Sequence, residues 1–182
     1  MSAEKKTVHI VLYEPEIPQN TGNVMRTAVA IGAKLHLIEP LGFRIDERRL
    51  RRSALDYYED IDYEIYPDYQ AFKDRNKGSY FFLTRYGKRT YSAFDFSSVE
   101  PPIYLIFGSE SRGIERKLLA SNLDQCFRIP TTDRVRSLNL SNAVAIVCYE
   151  VERQLDFPGL HKTEPDSRKG PDFLDRFIGD DT

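Results

Sequence analysis

The sequence predicts an α/β protein built on a mostly parallel sheet with helices on both faces. Two observations carry this. Short runs rich in β-branched and aromatic residues alternate along the chain with segments of helical periodicity. The runs are also apolar at successive positions, as strands are when layers cover both faces of the sheet.

The elements follow in order. "VHIVLY" (8–13) reads as a buried strand. "NTGNVMRTAVAIGA" (20–33) reads as a helix with Val24, Thr27, Ala28 and Ile31 on one face and Gly32 as its stop. "KLHLIE" (34–39) is a second strand, "DERRLRRSALDYY" (46–58) a short helix or helical turn, and "DYEIY" (62–66) a weak strand. "PDYQAFKDRN" (67–76) reads as a helix beginning near Pro67. "SYFFLT" (79–84) and "PIYLIFG" (102–108) are strands, the latter the clearest. "IERKLLASN" (114–122) is a helix, "CFRI" (126–129) a short strand, and residues 138–155 a long helix. From about Phe157 the chain is polar and rich in Pro and Gly, which predicts a partly disordered tail in which "FLDRFI" could dock as a helical turn.

The chain has 182 residues, of which 41% are hydrophobic and 30% charged, which suits one globular domain with a real core. No apolar run approaches ~20 residues, so no transmembrane helix is expected. "MSAEKKT" is charged and leads into only a short apolar run, unlike a signal peptide. Cys126 and Cys148 lack metal or redox spacing and read as reduced core thiols of a cytoplasmic protein.

A net charge of −2 does not announce a nucleic-acid binder, but its distribution is uneven. "RIDERRLRR" (44–52) sets five arginines against two acids. It reads equally as a solvated helix face or as a patch for phosphates, whose oxygens the guanidinium fork pairs bidentately.

In parallel sheets ligands sit beyond the carboxyl ends of the strands. Those ends carry "YEPEIPQNTGN", "LTRYG", "FGSESRG" and "IPTTDRVRSLN", all rich in small polar residues. "FGSESRG" approaches a dinucleotide fingerprint but places Glu110 where the second glycine belongs. A carboxylate there repels a pyrophosphate and tolerates a ligand that lacks phosphates or carries positive charge. His9 and His36 fall in strands and His161 in the tail, and no His/Cys/Asp cluster has metal spacing. Positioning and electrostatics are therefore expected to carry the chemistry.

The stretch "RVRSLNLSNAVAIVCYE" (134–150) places Ser137, Asn139, Ser141 and Asn142 at the entrance of an apolar helix. Ser137 or Asn139 suffices as an N-cap, which leaves polar residues for a ligand or a second chain.

Taken together, "LYEPEIPQNTGNVMRTA" (12–28), "IFGSESRGI" (106–114) and "RIPTTDRVRSLNLSNAVAIVCYE" (128–150) resemble the three motifs of SpoU-type methyltransferases in the SPOUT superfamily. "EPEIPQNTGNVMR", "IEPLGF", "RRLRRSALDY" and "RQLDFPG" are most similar to the small tRNA wobble-nucleotide 2′-O-methyltransferases. The resemblance spans residues 7–160, which sets apart an N-terminal extension (1–6) and a polar C-terminal tail (161–182).

It implies a SPOUT fold whose C-terminal part forms a deep trefoil knot, a feature nearly absent from proteins and invisible to periodicity. It also implies a homodimer and S-adenosylmethionine as cofactor, with no metal. The cofactor positions fall on Leu83, Thr84, Gly108, Gly113, Ile129, Ser137 and Leu138. The matching catalytic positions are Asn20, Arg26, Glu110, Ser137 and Asn139. The implied substrate is the anticodon stem-loop of tRNA, methylated on the ribose of nucleotide 34. Arg48, Arg49, Arg51, Arg52, Arg134 and Arg136 would contact its phosphates. The alternatives are a 2′-O-methyltransferase of ribosomal or other RNA, a non-catalytic RNA-binding dimer, and a nucleotide-dependent oxidoreductase.

Overall fold

In a computed structural model, residues 8–46 and 57–178 are described. Seven strands form one sheet: β1 (Val8–Tyr13), β2 (Lys34–Ile38), β3 (Tyr63–Tyr66), β4 (Ser79–Leu83), β5 (Arg89–Thr90), β6 (Ile103–Phe107) and β7 (Cys126–Arg128). Their order is β3-β2-β1-β6-β4-β7-β5, and each neighbouring pair is parallel. At the centre, Ile10 of β1 sits between Leu35 of β2 and Leu105 of β6.

Side chains alternate across the sheet, which explains the continuously apolar strands. Ile10, Leu12, Leu35, Leu37, Leu105 and Phe107 point to one layer, where helices α1 (Pro18–Ala30) and α4 (Leu140–Gln154) pack through Val24, Ala28, Val144, Val147 and Val151. Val11, Ile38, Phe82, Tyr104 and Ile106 point to the other, covered by α2 (Tyr69–Arg75) and α3 (Arg116–Ala120) through Phe72 and Leu119. Both faces are thus buried. Among the described residues, no helix is long and apolar enough to cross a membrane.

The strand histidines are structural. His36 is fully buried, with Nε2 2.9 Å from His9 Nδ1 and Nδ1 3.0 Å from the Tyr66 hydroxyl. Burial, reinforced by His9, lowers its pKa to about 3, so the ring stays neutral.

Several boundaries differ from the sequence reading. α1 begins at Pro18, the first-turn position proline favours, rather than at Asn20. α2 is capped by Asp68, whose carboxylate accepts from the Ala71 amide at 2.7 Å, so Pro67 lies outside it. α3 is barely more than one turn, and α4 begins at Leu140 rather than Leu138, with Asn139, one of the two cap candidates, as its N-cap. β5 and the 3₁₀ turns at Tyr91–Ala93 and Phe96–Ser98 have no periodic signal, yet they carry Phe94 and Phe96 into the core. The predicted helix over 46–58 lies outside the described residues except at its ends. "FLDRFI" does form a 3₁₀ turn, Phe173–Phe177, but Leu174, Phe177 and Ile178 stay exposed rather than docking.

One buried group predicts a pH effect. Glu152 on α4 is 3% exposed and its Oε2 has no hydrogen-bond partner. Desolvation raises its pKa from 4.5 to about 7. A raised carboxyl pKa means that the folded state binds the proton more tightly than the unfolded state. Its stabilising contribution is therefore full below pH 4.5 and is lost as pH rises to about 7. Glu152→Gln, which cannot ionise, is expected to be more stable than wild type at pH 8 by on the order of 2–3 kcal/mol. Urea titrations at pH 5 and pH 8 check that the gain shrinks towards the acid side.

Candidate active site

A cleft of about 1230 Å³ opens at the carboxyl ends of β1, β4, β6 and β7. Its walls come from the loops after these strands and from the start of α4. Four separate stretches of sequence meet there, and a continuous hydrogen-bond path joins three of them.

The path begins at Glu110, in the loop after β6. Ile17, the N-cap of α1, has no side chain able to accept a hydrogen bond, and the first turn of α1 holds no acidic residue. Glu110 supplies the missing acceptor from the neighbouring loop. Its carboxylate accepts from the backbone amides of Glu16 at 2.8 Å and Ile17 at 3.2 Å, and from Asn20 Nδ2 at 3.0 Å. Negative charge at this helix end also opposes the positive pole of the helix dipole. Asn20 Oδ1 in turn accepts from Asn139 Nδ2 at 2.9 Å. Asn139 Oδ1 closes the path by capping α4, accepting from the Ser141 amide at 2.9 Å and the Ser141 hydroxyl at 2.7 Å. Because Asn20 and Asn139 each donate and accept, their amide orientations are fixed.

A second clasp runs the other way. Glu16 accepts from the Ser111 amide at 3.0 Å and the Ser111 hydroxyl at 2.6 Å. The Arg112 guanidinium lies 3.3 Å from Glu14 and 3.8 Å from Glu16. Glu14, the residue after β1, adopts the left-handed region, at φ 52°. A non-glycine residue there costs on the order of 1–3 kcal/mol, and such strain gathers at functional sites. Next to it, burial and the Glu14 charge raise the Tyr13 phenol pKa and keep it neutral.

The loop between β6 and α3 folds tightly back on itself. Gly113 donates to the Ser109 carbonyl at 3.0 Å and adopts φ +72°. A Cβ on Gly108 would stand 2.4 Å from the Gly113 carbonyl carbon, so only glycine permits this approach.

Leu83, Thr84, Gly108, Gly113, Ile129, Ser137 and Leu138, singled out in the sequence, all line the one cleft, together with Asn20, Glu110 and Asn139. Arg26 does not. It is exposed on α1, about 9 Å along the axis from Asn20, with its guanidinium 5.6 Å from the centre of the Tyr57 ring. Arg136 borders the cleft and Arg134 is exposed beside it. Arg48, Arg49, Arg51 and Arg52 lie outside the described residues. Glu16, Ser111 and Arg112 are not singled out in the sequence. The complementary charges of "EPEIPQN" and "ESR" were their only signal, and partners some 95 residues apart are not legible from spacing.

The cleft offers apolar surface for a ring through Leu83, Ile114, Ile129, Leu138 and Ala143, and its charged lining is mixed, with Glu14, Glu110 and Glu115 against Arg85, Arg112, Arg116, Arg128 and Arg136. No His or Cys lines it, and among the described residues no group of His, Cys, Asp and Glu could hold a metal ion.

The sequence profile of the SpoU rRNA Methylase family matches residues 7–149. The tRNA (cytidine(34)-2′-O)-methyltransferase of Escherichia coli K12 is 46% identical over 154 residues, covering 84% of this chain and 96% of that protein. A structure described as giving insight into 2′-OH methylation of C/U34 on tRNA superposes with a TM-score of 0.74 at 40% identity, covering 82% of this chain and 96% of that one. An AdoMet-bound rRNA methyltransferase from Sinorhizobium meliloti superposes with a TM-score of 0.70 at 26% identity, covering 84% and 58%.

Proposed function

The chain belongs to the SpoU methylase family, and from that premise we propose that it methylates the ribose 2′-hydroxyl of the wobble nucleotide, C or modified U, in tRNA, using S-adenosylmethionine. The observation that carries the reading is the single cleft where the three motif segments meet, joined by the path from Glu110 through Asn20 to Asn139. Near-full-length similarity to enzymes with this activity supports the choice of tRNA over ribosomal RNA.

S-adenosylmethionine, when bound, supplies a methyl group already activated on a sulfonium. Leu83, Thr84, Gly108, Gly113, Ile129, Ser137 and Leu138 would hold it, largely through backbone groups and apolar contact. Glu110, Asn20 and Asn139 position the cleft walls, since their polar atoms are spent on one another and on helix ends. Arg26 acts from the RNA side. Its guanidinium is always protonated and so cannot serve as a base. It fixes the target phosphate and stabilises the developing alkoxide, and that phosphate assists removal of the proton. Orientation of the two reactants supplies much of the acceleration, up to ~7–11 kcal/mol in the best intramolecular cases.

The sheet order, with β6 inserted between β1 and β4 and β7 beyond β4, supports a knotted C-terminal part. Exposed Ile146 and Tyr149 on α4 support a homodimer through that helix. The cytoplasm is the expected location. Arg134 and Arg136 would contact tRNA phosphates, with Arg48, Arg49, Arg51 and Arg52.

Thermal unfolding with S-adenosylhomocysteine tests the cofactor half of the reading. At 100 times Kd a ligand adds about 2.7 kcal/mol, a rise in Tm of roughly 5–10 °C for a chain of this size. NAD is expected to give none. A rise with NAD alone would favour the oxidoreductase.

A further inference from the structure

The turn after β4 is held in place independently of any ligand. Thr84 donates its amide to the Phe127 carbonyl at 2.9 Å, Gly87 donates to the Thr84 carbonyl at 3.1 Å, and the Tyr86 amide donates to Thr84 Oγ1 at 3.3 Å. A Cβ on Gly87 would stand 2.5 Å from the Phe127 carbonyl carbon, so the turn lies directly on β7. This seats Arg85 and Tyr86 beside Arg128, the residue that follows Phe127.

A depression of about 420 Å³ adjoins the cleft here, and Arg85, Arg128, Thr131 and Arg136 border both. Among the described residues, none of the three arginines has a carboxylate within ion-pair distance, although Asp133 also borders the depression. Three arginines against one acid leave the depression net positive. By contrast, Arg75 is held by Glu64 and Arg153 by Glu150. Tyr86 stands at the cleft mouth, 60% exposed, with the Arg85 guanidinium 4.9 Å from its ring centre. An exposed ring backed by a guanidinium on an ordered turn is a platform for a nucleic-acid base, and unpaired guanidinium forks fit phosphate oxygens.

We propose that this rim is a substrate subsite in which Arg85, Arg128 and Arg136 grip an RNA phosphodiester and Tyr86 stacks an unpaired base next to it. The proposal rests on the reading of the protein as an RNA methyltransferase and names where the RNA enters. The ordered turn lowers the entropy lost on binding. Arg85 and Arg128 both border the depression and the cleft, so a phosphate held there lies next to the reacting ribose.

The test is binding of a fluorescently labelled anticodon stem-loop RNA across a salt series, with S-adenosylhomocysteine present. Arg85→Gln and Arg128→Gln should each flatten the slope of log K against log salt by about 0.7–0.9, the change expected for one lost phosphate contact. Tyr86→Ala should weaken binding at least about 5-fold at unchanged slope, and Tyr86→Phe should bind as wild type. Lys88→Gln removes a charge from the same surface outside the depression and should leave the slope within error of wild type. Equal slope changes for Lys88→Gln and Arg85→Gln, equal losses for Tyr86→Phe and Tyr86→Ala, or no binding by wild type would each overturn the subsite. Methyl transfer by wild type to the same RNA separates the two readings. Transfer without the variant pattern removes the subsite alone, whereas the variant pattern without transfer supports the subsite and removes the methyltransferase reading.

Discussion

Glu110→Ala is expected to lower stability by on the order of 3 kcal/mol and, through it, to collapse activity. The carboxylate accepts three hydrogen bonds, two of them from backbone amides at the start of α1. A hydrogen bond to a charged group contributes about 1.5–3 kcal/mol, and unpaired donors add a desolvation cost. Partial exposure lets water replace some of this, so the loss falls well below the sum. At this chain length it lowers Tm by roughly 6–12 °C. The consequence spreads because Asn20, released from Glu110, no longer fixes Asn139 at the cap of α4. Glu110→Gln separates positioning from chemistry. Its amide oxygen still accepts at the helix end, so a positioning role predicts partial stability and partial activity together. Near-native stability with transfer abolished would instead mark Glu110 as a reacting group.

Arg26→Ala is expected to do the opposite. Arg26 is exposed and, among the described residues, its guanidinium lies against the Tyr57 ring, so its removal should change stability by less than about 0.5 kcal/mol. Affinity for S-adenosylhomocysteine should hold, since Arg26 does not line the cleft. The methyl-transfer rate should fall about 10²–10³-fold, the usual cost of removing a donor that stabilises developing oxyanion charge. Arg26→Lys keeps the charge but loses the planar fork, and an intermediate rate is expected. Single-turnover kinetics, with ligand affinity measured alongside, distinguish this from a folding defect.

The contrast between these residues shows what a sequence makes legible. The double-sided burial of β1, β2, β4 and β6 was readable because a run such as "VHIVLY" has no polar face to give to solvent. The start of α1 was read two residues late, because its N-cap Ile17 carries no capping side chain and the acceptor comes from Glu110, over ninety residues on. The same distance hid the role of Glu110. Its charge excluded a pyrophosphate, but only the fold shows that the charge serves a helix end. Ser137 and Leu138 were placed in the cleft by motif, and the geometry agrees in location. Asn139 is legible as a candidate N-cap as well as a motif position, and its bonds show the cap together with a tie to Asn20 that spacing does not reveal. Arg85 and Tyr86 are legible only as part of the strand-end stretch "LTRYG", because their placement depends on Gly87 lying against Phe127.

The central claim is tested most directly by methyl transfer. The protein is incubated with labelled S-adenosylmethionine and bulk tRNA from cells lacking their own enzyme for this position, and the label is mapped by nuclease digestion and mass spectrometry. The account predicts one methyl group on the ribose 2′-oxygen of nucleotide 34, absent from the Arg26→Ala sample. No label in tRNA from a protein that S-adenosylhomocysteine stabilises, or a methyl group on a base or at another nucleotide, would contradict it.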